Sequence, residues 1–314
     1  MGCRSLLTAA ALMASLGLSA TPVVAQGAAS SDRVLASSSN GFNPSAVRSM
    51  IARGDAAAAS GNLETARREY DAARKAAKSI VADDLYDELI GAVAAARSEA
   101  PFEMTPSAVG RRAIVTICLD YLLASSHDNA VSLAEDIYRS ADNMTLWAGA
   151  LRSVVGCELP SAKAARDWML ADFYTKGEKD ALVMDLWFSI QAAGAGSDAV
   201  DMVKALMSHA DYTLEVPNRM RSVLGGFAGQ NMAGFHEASG DGYALLADTV
   251  IKLDQFNPQM AARMLGPLTR WRKFDSSRQA LMRGALERIQ SQDSLSTDVF
   301  EVVNKSLDAP STEA

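Results

Sequence analysis

Apolar residues recur at helical spacing along most of the chain, in stretches of ordinary helix length that short breaks separate. No stretch alternates apolar and polar residues over the length of a strand. The pattern predicts an all-α fold of helices in series, an irregular α-solenoid or helical superhelix, with a helical hairpin at its N-terminal end. The predicted helices are Leu85–Ala96, one that follows Pro106, Asn129–Arg139, Met144–Val155, one that starts at Pro160-Ser161, Ala181–Gln191, Ala199–Ser208, Asn218–Gly226, Tyr243–Phe256, Pro258–Thr269, Ser276–Ser291 and Ser296–Ser306.

The predicted hairpin spans residues 45–80. Its turn is Gly61-Asn62, and two apolar stripes at helical spacing face each other across it. The second helix resembles one tetratricopeptide unit, with the small residue at Ala66 and the aromatic residue at Tyr70. Because that repeat fold needs about three units to bury its core, the alternative is a hairpin that only docks on the helices after it.

The N-terminus has the pattern of a processing segment. Arg4 precedes an apolar stretch, Leu6–Ala20, and Val23-Val24-Ala25 resembles a cleavage site for a signal peptidase. Residues 1–25 are therefore predicted to be a Sec-type signal peptide and residues 26–44, rich in Ser, Ala, Gly and Asn, a flexible linker. We expect an exported protein, secreted, periplasmic or in an organelle lumen, with no membrane span in the mature chain.

Charge and cysteine content exclude some functions. The net charge of −7 argues against nucleic-acid binding, which needs a concentrated basic face. Cys118 and Cys157 lie in helical patterns without metal-ligand spacing, which favours buried free thiols. A disulfide between them is the alternative, because an exported chain meets an oxidising compartment.

Several short motifs in order carry a family resemblance. They are the Met-Asp-x-Trp-Phe core of Ala181–Phe188, then Pro217-Asn218-Arg219 and Phe235-His236, with Asn143-Met144-Thr145 as a looser match. From residue 83 to residue 308 the chain resembles the C-terminal helical domain of the bacterial-type aminopeptidase N, a zinc exopeptidase of the M1 family. The exported segment before it is predicted to be unrelated to that family. The resemblance implies a helical superhelix that caps a catalytic domain and encloses a cavity over its zinc.

Two arginines of that family point toward the cavity and correspond to Arg221 and Arg263. The resemblance implies that they steer the carboxylate end of a peptide, since a guanidinium offers a two-pronged donor to a carboxylate. The alternative is that both form ion pairs between helices of their own domain. They are the substrate-cavity candidates of this sequence.

The family's catalytic motifs do not occur in these residues. Neither H-E-x-x-H nor the G-x-M-E-N motif, which grips the amino end of a substrate, is present. We therefore expect no catalytic residue, no metal site and no cofactor, with zinc only on a separate catalytic domain. The predicted function is a non-catalytic module that binds a peptide or assembles with a catalytic aminopeptidase chain. The alternatives are a fragment or subunit of an M1 zinc aminopeptidase, and an exported scaffold protein whose hairpin contacts the partner.

Two stretches resemble metal sites without meeting their requirements. His236-Glu237 begins like a zinc motif, but Gly240 stands where the second His should be, so a turn and ordinary packing are predicted there. Residues 239–242 offer too few oxygen ligands for calcium.

Four other features are predicted to be structural. The loop Gly225–Gly229 lacks the Lys of a phosphate-binding loop. The basic cluster Arg270–Lys273 is predicted to be a solvated turn between helices, and Asp83-Asp84 to cap the helix that follows. The apolar stripes are predicted to be core, and they comprise Met260, Met264, Leu268, Leu281 and Leu286.

Overall fold

The computed structural model describes residues 45–61, 63–98, 100–194, 196 and 198–308. The predicted signal peptide and linker lie outside the described residues. Within these ranges the chain is helical and contains no strand, so the all-α prediction is confirmed. None of the helices in this part combines the length and the apolar character that crossing a bilayer requires.

The first eight helices are joined by short turns and alternate between two layers. Helices α2, α4, α6 and α8 contact one another in succession, and α3, α5 and α7 pack against them. This stacking of each helix on the second one after it is the arrangement of an α-solenoid. The bounds are α1 Ser45–Ala59, α2 Leu63–Asp84, α3 Tyr86–Ala96, α4 Pro106–Leu122, α5 Asn129–Ser140, α6 Met144–Val155, α7 Ala162–Gly177 and α8 Ala181–Gly194.

The second part has shorter helices and irregular turns. Helix α13 contacts α14 and α15, and α16 closes the bundle by packing on α14 and α15. The bounds are α9 Ala199–Met207, α10 Pro217–Met220, a π-helical turn Arg221–Gly225, α11 Gly226–Gln230, α12 Met232–Phe235, α13 Asp241–Asp254, α14 Pro258–Met264, a 3-10 helix Leu268–Lys273, α15 Ser276–Gln290 and α16 Thr297–Asp308.

Side-chain caps at several helix starts explain why the sequence predicts these helix boundaries. Thr105 Oγ1 accepts a hydrogen bond from Ala108 N at 3.3 Å, and Asn143 Oδ1 accepts one from Leu146 N at 3.0 Å. Asn257 and Asp275 cap α14 and α15 in the same way. Each cap satisfies a backbone N–H that has no partner inside its helix.

The predicted capping role of Asp83-Asp84 is wrong. Both residues end α2, which extends past the predicted hairpin end, and the position before α3 is Leu85, which offers no side-chain cap. Asp83 Oδ1 instead accepts hydrogen bonds from Ser126 N at 2.8 Å and Ser126 Oγ at 3.0 Å. The carboxylate is used to join α2 to the turn after α4, a contact between segments far apart in sequence.

The hairpin α1–α2 is held by a close approach of its two helices. A Cβ on Gly54 would lie 2.6 Å from the ring of Tyr70, so a larger residue there would require the ring to move. The Tyr70 hydroxyl donates to Asp55 Oδ1 at 2.7 Å. At the other end of the hairpin, Lys78 Nζ lies 2.7 Å from Asp120 Oδ2 of α4, which joins the hairpin to the solenoid.

The segment Arg270–Lys273 corrects another prediction. It is not a solvated turn: it lies in the 3-10 helix, and Trp271 is buried. Trp271 Nε1 donates to the carbonyl of Ser306 at 3.4 Å, and Arg272 donates to the carbonyls of Ser306 and Leu307. The two side chains satisfy carbonyl groups in the last turn of α16, which have no partner inside their own helix.

The core follows the predicted stripes with one exception. Met264, Leu268 and Leu286 are buried and Met260 is partly buried, but Leu281 is exposed, so its assignment to the core is wrong. Leu281 lies close over Gly240 at the turn before α13. The side chains that fill the centre completely include Phe173, Phe188, Phe227, Phe235 and Tyr243.

Both described cysteines are buried and unpaired, as predicted. Burial raises the pKa of the Cys118 thiol, and burial also raises that of Cys157. The Cys157 thiol donates to the carbonyl of Leu123 at 3.3 Å. These thiols are therefore protonated and packed, which is the state of a structural cysteine and not of a nucleophile.

Candidate functional site

The candidate site is built on the turn Pro217–Gly225, which the ion pair of Arg219 fixes to α8. Arg219 Nε lies 2.6 Å from Asp185 Oδ1, and the two side chains are 11% and 17% exposed. The guanidinium also lies over the ring of Phe188, 4.9 Å from its centroid, and donates to the carbonyl of Asp211. Two motifs that the sequence places apart therefore meet in one partly buried contact.

Arg221 follows Arg219 by two residues, so its side chain leaves the helix on the other side and is exposed. Its Nη2 donates to Asn218 Oδ1, which holds the guanidinium against the start of the turn. A guanidinium has five N–H donors, so this contact leaves donors that can receive a carboxylate. Pro217 thus starts the helix that carries Arg221. The Asn218 amide orients the Arg221 guanidinium, and Arg219 anchors the turn to α8.

The backbone at Arg221 departs from the predicted regular helix. The helical stretch runs on from Pro217 to Gln230 and contains a π-helical turn at Arg221–Gly225, so the predicted bounds Asn218–Gly226 are wrong. Just after the turn, a Cβ on Gly226 would lie 3.3 Å from the carbonyl oxygen of Ser189. Close packing on α8 accompanies the wider turn, and such turns are frequent at functional sites.

The second cavity candidate, Arg263, is exposed on α14. Within the described residues neither Arg221 nor Arg263 belongs to an ion pair, so the predicted alternative of pairing between helices is not observed there. Their role in holding a carboxylate stays a prediction.

His236 belongs to the core, as predicted. Its imidazole is buried, stacks on Phe274 at 4.3 Å between centroids, and has Nδ1 2.8 Å from the hydroxyl of Tyr243. The backbone carbonyl of His236 accepts a hydrogen bond from Arg278 Nε at 2.7 Å. Gly240, with φ of 78°, makes the predicted turn. No group of three or more His, Cys, Asp or Glu that could hold a metal occurs in the described part of the chain.

Sequence reasoning missed a small acidic pocket of about 140 Å³ between the start of α9 and the turn before α13. Its carboxylates come from Asp198, Asp201, Glu237 and Asp241. Hydrogen bonds from Ser239 hold the pKa of Glu237 below its usual value. The pocket is polar and open to solvent, and no motif in the sequence indicates it because its residues come from two separate segments.

Comparison with known proteins agrees with this geometry. Residues 14–308 match the sequence pattern of the family described as "Domain of unknown function (DUF3458_C) ARM repeats", and the chain belongs to that family. The match begins inside the predicted leader and covers the hairpin. The family is the ARM-repeat C-terminal domain of aminopeptidase N, so the resemblance inferred from the motifs is confirmed.

Three curated relatives are bacterial aminopeptidases N. The protein of Haemophilus influenzae is 37% identical over 236 residues, which are 75% of this chain and 26% of the relative. That of Escherichia coli is 34% identical over 234 residues, 74% of this chain and 26% of the relative. That of Caulobacter vibrioides is 38% identical over 207 residues, 66% of this chain and 23% of the relative. The chain thus spans about a quarter of the length of these relatives.

A solved structure shares the fold. The crystal structure of Legionella pneumophila aminopeptidase A in complex with aspartic acid superposes with a TM-score of 0.70 at 29% identity. The superposition covers 77% of this chain and 29% of that one. The helical module therefore corresponds to one part of a larger peptidase.

Proposed function

We propose that this chain is a non-catalytic helical module of the aminopeptidase N type that binds a peptide or a catalytic aminopeptidase chain. The observation that carries the proposal is the coverage: three quarters of this chain aligns with about a quarter of each relative, in the helical C-terminal part. The sequence offers the helical fold and the exposed arginines of that part, without the H-E-x-x-H motif.

The proposed binding group is the guanidinium of Arg221, oriented by Asn218, with Arg263 as a second donor. Each would receive the terminal carboxylate of a peptide, since charge-assisted bidentate hydrogen bonds are among the strongest a side chain offers. A fluorescent peptide with a free C-terminus should bind about 10-fold more tightly than its C-terminal amide, which corresponds to about 1.4 kcal/mol.

The matched variants are Arg221→Ala and Arg263→Ala, each compared with Arg283→Ala, an exposed arginine on α15 that pairs with Glu287. The first two should reduce binding of the free-acid peptide to the level of the amide, while Arg283→Ala should leave it unchanged. Equal binding of acid and amide by the unaltered protein would remove the carboxylate site from the proposal.

A separate experiment tests the absence of catalysis. The purified chain should contain no stoichiometric zinc by metal analysis and should not hydrolyse alanyl anilide substrates. One tightly bound zinc per chain, together with hydrolysis that a chelator abolishes, would contradict the proposal. A chain that binds peptide without zinc and without hydrolysis is the expected result.

The length of the relatives favours a second candidate: a fragment or subunit that completes an M1 zinc aminopeptidase. An antibody against the α15 peptide Ser276–Gln290 measures the size of the natural protein. A band a little below the calculated 33.3 kDa supports a separate module. A band several-fold larger supports a piece of the complete enzyme. Co-purification of a zinc peptidase with the small form supports a two-chain enzyme.

We further propose that the chain is exported through the predicted leader at residues 1–25. The support is the order of Arg4, the apolar stretch Leu6–Ala20 and the small residues before Gln26. The intact mass of the natural protein tests this, because cleavage after Ala25 should give a chain that begins at Gln26. A mass that retains the apolar stretch would contradict export by cleavage.

A further inference from the structure

The hairpin α1–α2 is packed more firmly within itself than against the solenoid. Its inside is formed by small residues that are buried, Val47 and Gly54 on α1 and Ala66 and Ala73 on α2. Within the described ranges, the one extensive contact of α1 is with α2. The hairpin is therefore a unit whose position on the rest of the molecule depends on the contacts that α2 makes.

Two exposed lysines join the middle of α2 to the solenoid. Lys75 Nζ lies 2.6 Å from Glu158 Oε1, just after α6, and the two side chains are 66% and 78% exposed. Lys78 Nζ lies 2.7 Å from Asp120 Oδ2 on α4, and these side chains are 31% and 57% exposed. The attachment along this part of α2 is thus ionic and in contact with solvent.

The buried part of the junction lies at the C-terminal end of α2. Ala82 is completely buried, and Asp83 Oδ1 accepts hydrogen bonds from Ser126 N and Oγ. The next residue but one, Leu85, departs from helical geometry, with φ of −109° and ψ of 23°, and offers no side-chain cap to α3. Its N–H still donates to the carbonyl of Val81 at 3.0 Å, so α2 and α3 stay connected when the angle between them changes.

We propose that the hairpin α1–α2 is a hinged arm that turns about Leu85, and that ionic strength sets the fraction of molecules in which it lies on the solenoid. The two lysine pairs hold the closed position. In the open position the lysines and their carboxylate partners are hydrated separately. Residues at the ends of helices commonly serve as hinges, because they absorb changes in φ and ψ. The arm is independent of the carboxylate site in the proposed function.

The length of α2 turns a small rotation into a large displacement. The helix rises about 33 Å between Leu63 and Leu85, and about 15 Å between Lys75 and Leu85, at 1.5 Å per residue. A rotation of about 20° would move the hairpin turn by about 11 Å and Lys75 by about 5 Å. Such a rotation separates the lysines from their partners and unfolds no helix.

The exposure of both pairs makes closure reversible and dependent on salt. An exposed ion pair changes the ratio of closed to open molecules by about fivefold at most. The screening length falls from about 10 Å at 0.1 M salt to about 3 Å at 1 M. The closed fraction should therefore decrease as the salt concentration rises, whereas the apolar packing inside the hairpin is not screened.

The distance between two spin labels, measured by pulsed electron paramagnetic resonance, tests the proposal. In a Cys3→Ser background the labels are attached at Ser60→Cys, in the hairpin turn, and at Arg152→Cys, on α6, because both positions are exposed. The buried Cys118 and Cys157 should stay unlabelled. One distance should dominate at about 0.02 M NaCl, and a second should appear at about 1 M, with the open-to-closed ratio at least about 3-fold higher.

Variants show whether the two lysine pairs hold the closed position. The double variant Lys75→Ala with Lys78→Ala should give, at low salt, the distances that the unaltered protein shows at high salt. The control Lys163→Ala removes an exposed pair with Asp167 inside α7 and should leave the distances unchanged. Lys78→Asp alone should open the arm, and Lys78→Asp combined with Asp120→Lys should close it again.

Circular dichroism of the same samples separates turning from unfolding. Helix content that stays constant while the label distance changes supports a hinged arm. Helix content that falls together with the change in distance overturns the proposal, because the hairpin then melts. Distances that neither salt nor the double variant alters overturn it as well, and would show that the buried contact at Ala82 suffices to fix the hairpin.

Discussion

Asp185 on α8 and Arg219 on α10 form a partly buried ion pair in which Oδ1 lies 2.6 Å from Nε, across 34 residues of sequence. Each belongs to a motif of the family, Met-Asp-x-Trp-Phe and Pro-Asn-Arg, so the two motifs are a single structural unit. The pair holds the turn that presents Arg221 to solvent. The motif residues thus stabilise the packing of two helices, and this packing fixes the position of Arg221.

Removing one partner of this pair should destabilise the protein strongly. We expect Arg219→Ala to lower the free energy of unfolding by about 2 kcal/mol, because it leaves the partly buried Asp185 carboxylate without a counter-charge. Urea unfolding followed by circular dichroism measures the change. The exposed pair of Arg283 with Glu287 is the control, and Arg283→Ala should cost about 0.5 kcal/mol or less. Equal losses would mean that the Arg219 pair is not desolvated.

Two helical glycines should respond in opposite ways to alanine. A Cβ on Gly242 would lie 2.5 Å from the carbonyl oxygen of Phe235, whereas one on Gly284 meets nothing within 4 Å. We expect Gly242→Ala to lower the free energy of unfolding by about 2 kcal/mol or more. Gly284→Ala in the middle of α15 should raise it by up to about 1 kcal/mol. A scan of thermal unfolding checks both, and a stable Gly242→Ala protein would show that the α12–α13 turn adapts.

Asp275 should contribute stability that depends on pH. Burial alone would raise the pKa of this carboxyl, but hydrogen bonds from the backbone N–H and guanidinium of Arg278 outweigh that and lower it. A carboxyl with a lowered folded pKa stabilises fully above its unfolded pKa of about 4. That stability is lost as the pH falls through the folded value.

The variant Asp275→Asn measures this contribution, because asparagine keeps the helix cap and removes the charge. The difference in unfolding free energy between the unaltered protein and the variant should be constant from pH 7 to about 5 and should shrink below about 4. Asp201→Asn, at an exposed position in the first turn of α9, serves as control and should change little. A difference that grows toward acid would show the opposite sign of the pKa shift.

The two buried thiols should be unreactive in the folded protein. Because burial raises the pKa of Cys118 and of Cys157, the thiolate fraction is small and access is blocked. In a Cys3→Ser background, reaction with an aromatic disulfide reagent at pH 7.5 should be at least about 100-fold slower than in urea. The absence of free thiols in urea without reductant would show that the two cysteines pair in solution.

Most of the helix boundaries could be predicted because their signals are local. Pro106, Asn143, Pro258 and Asp275 mark helix starts through backbone geometry and side-chain caps, which act within one turn. The predicted helix Met144–Val155 agrees residue by residue with α6. The predicted helix Pro258–Thr269 ends early, at Met264, because Gly266-Pro267 interrupts it before the 3-10 helix.

Two of the misassigned residues have hydrogen-bond partners that are distant in sequence, and a third is misassigned because its side chain is exposed. Asp83 bonds Ser126, and Arg272 bonds the end of α16, so neither is the solvated or local group that its neighbours suggest. Leu281 lies on an apolar stripe but is exposed. Periodicity predicts which residues are apolar on one side of a helix, while the number of neighbours that cover that side is a property of the assembled fold.

The sequence by itself determined the helical class, the family and the candidate arginines, because helix periodicity, caps and short motifs depend only on residues that are close together in the sequence. Only the tertiary structure decided that Arg219 is a partly buried anchor while Arg221, two residues on, is exposed and held by Asn218. It also decided that Val109, Ile114 and Ile117 of α4 are exposed although helical spacing gives no sign of this. Burial depends on which helices pack together, and that packing sets the desolvation and pairing of every charge at the site.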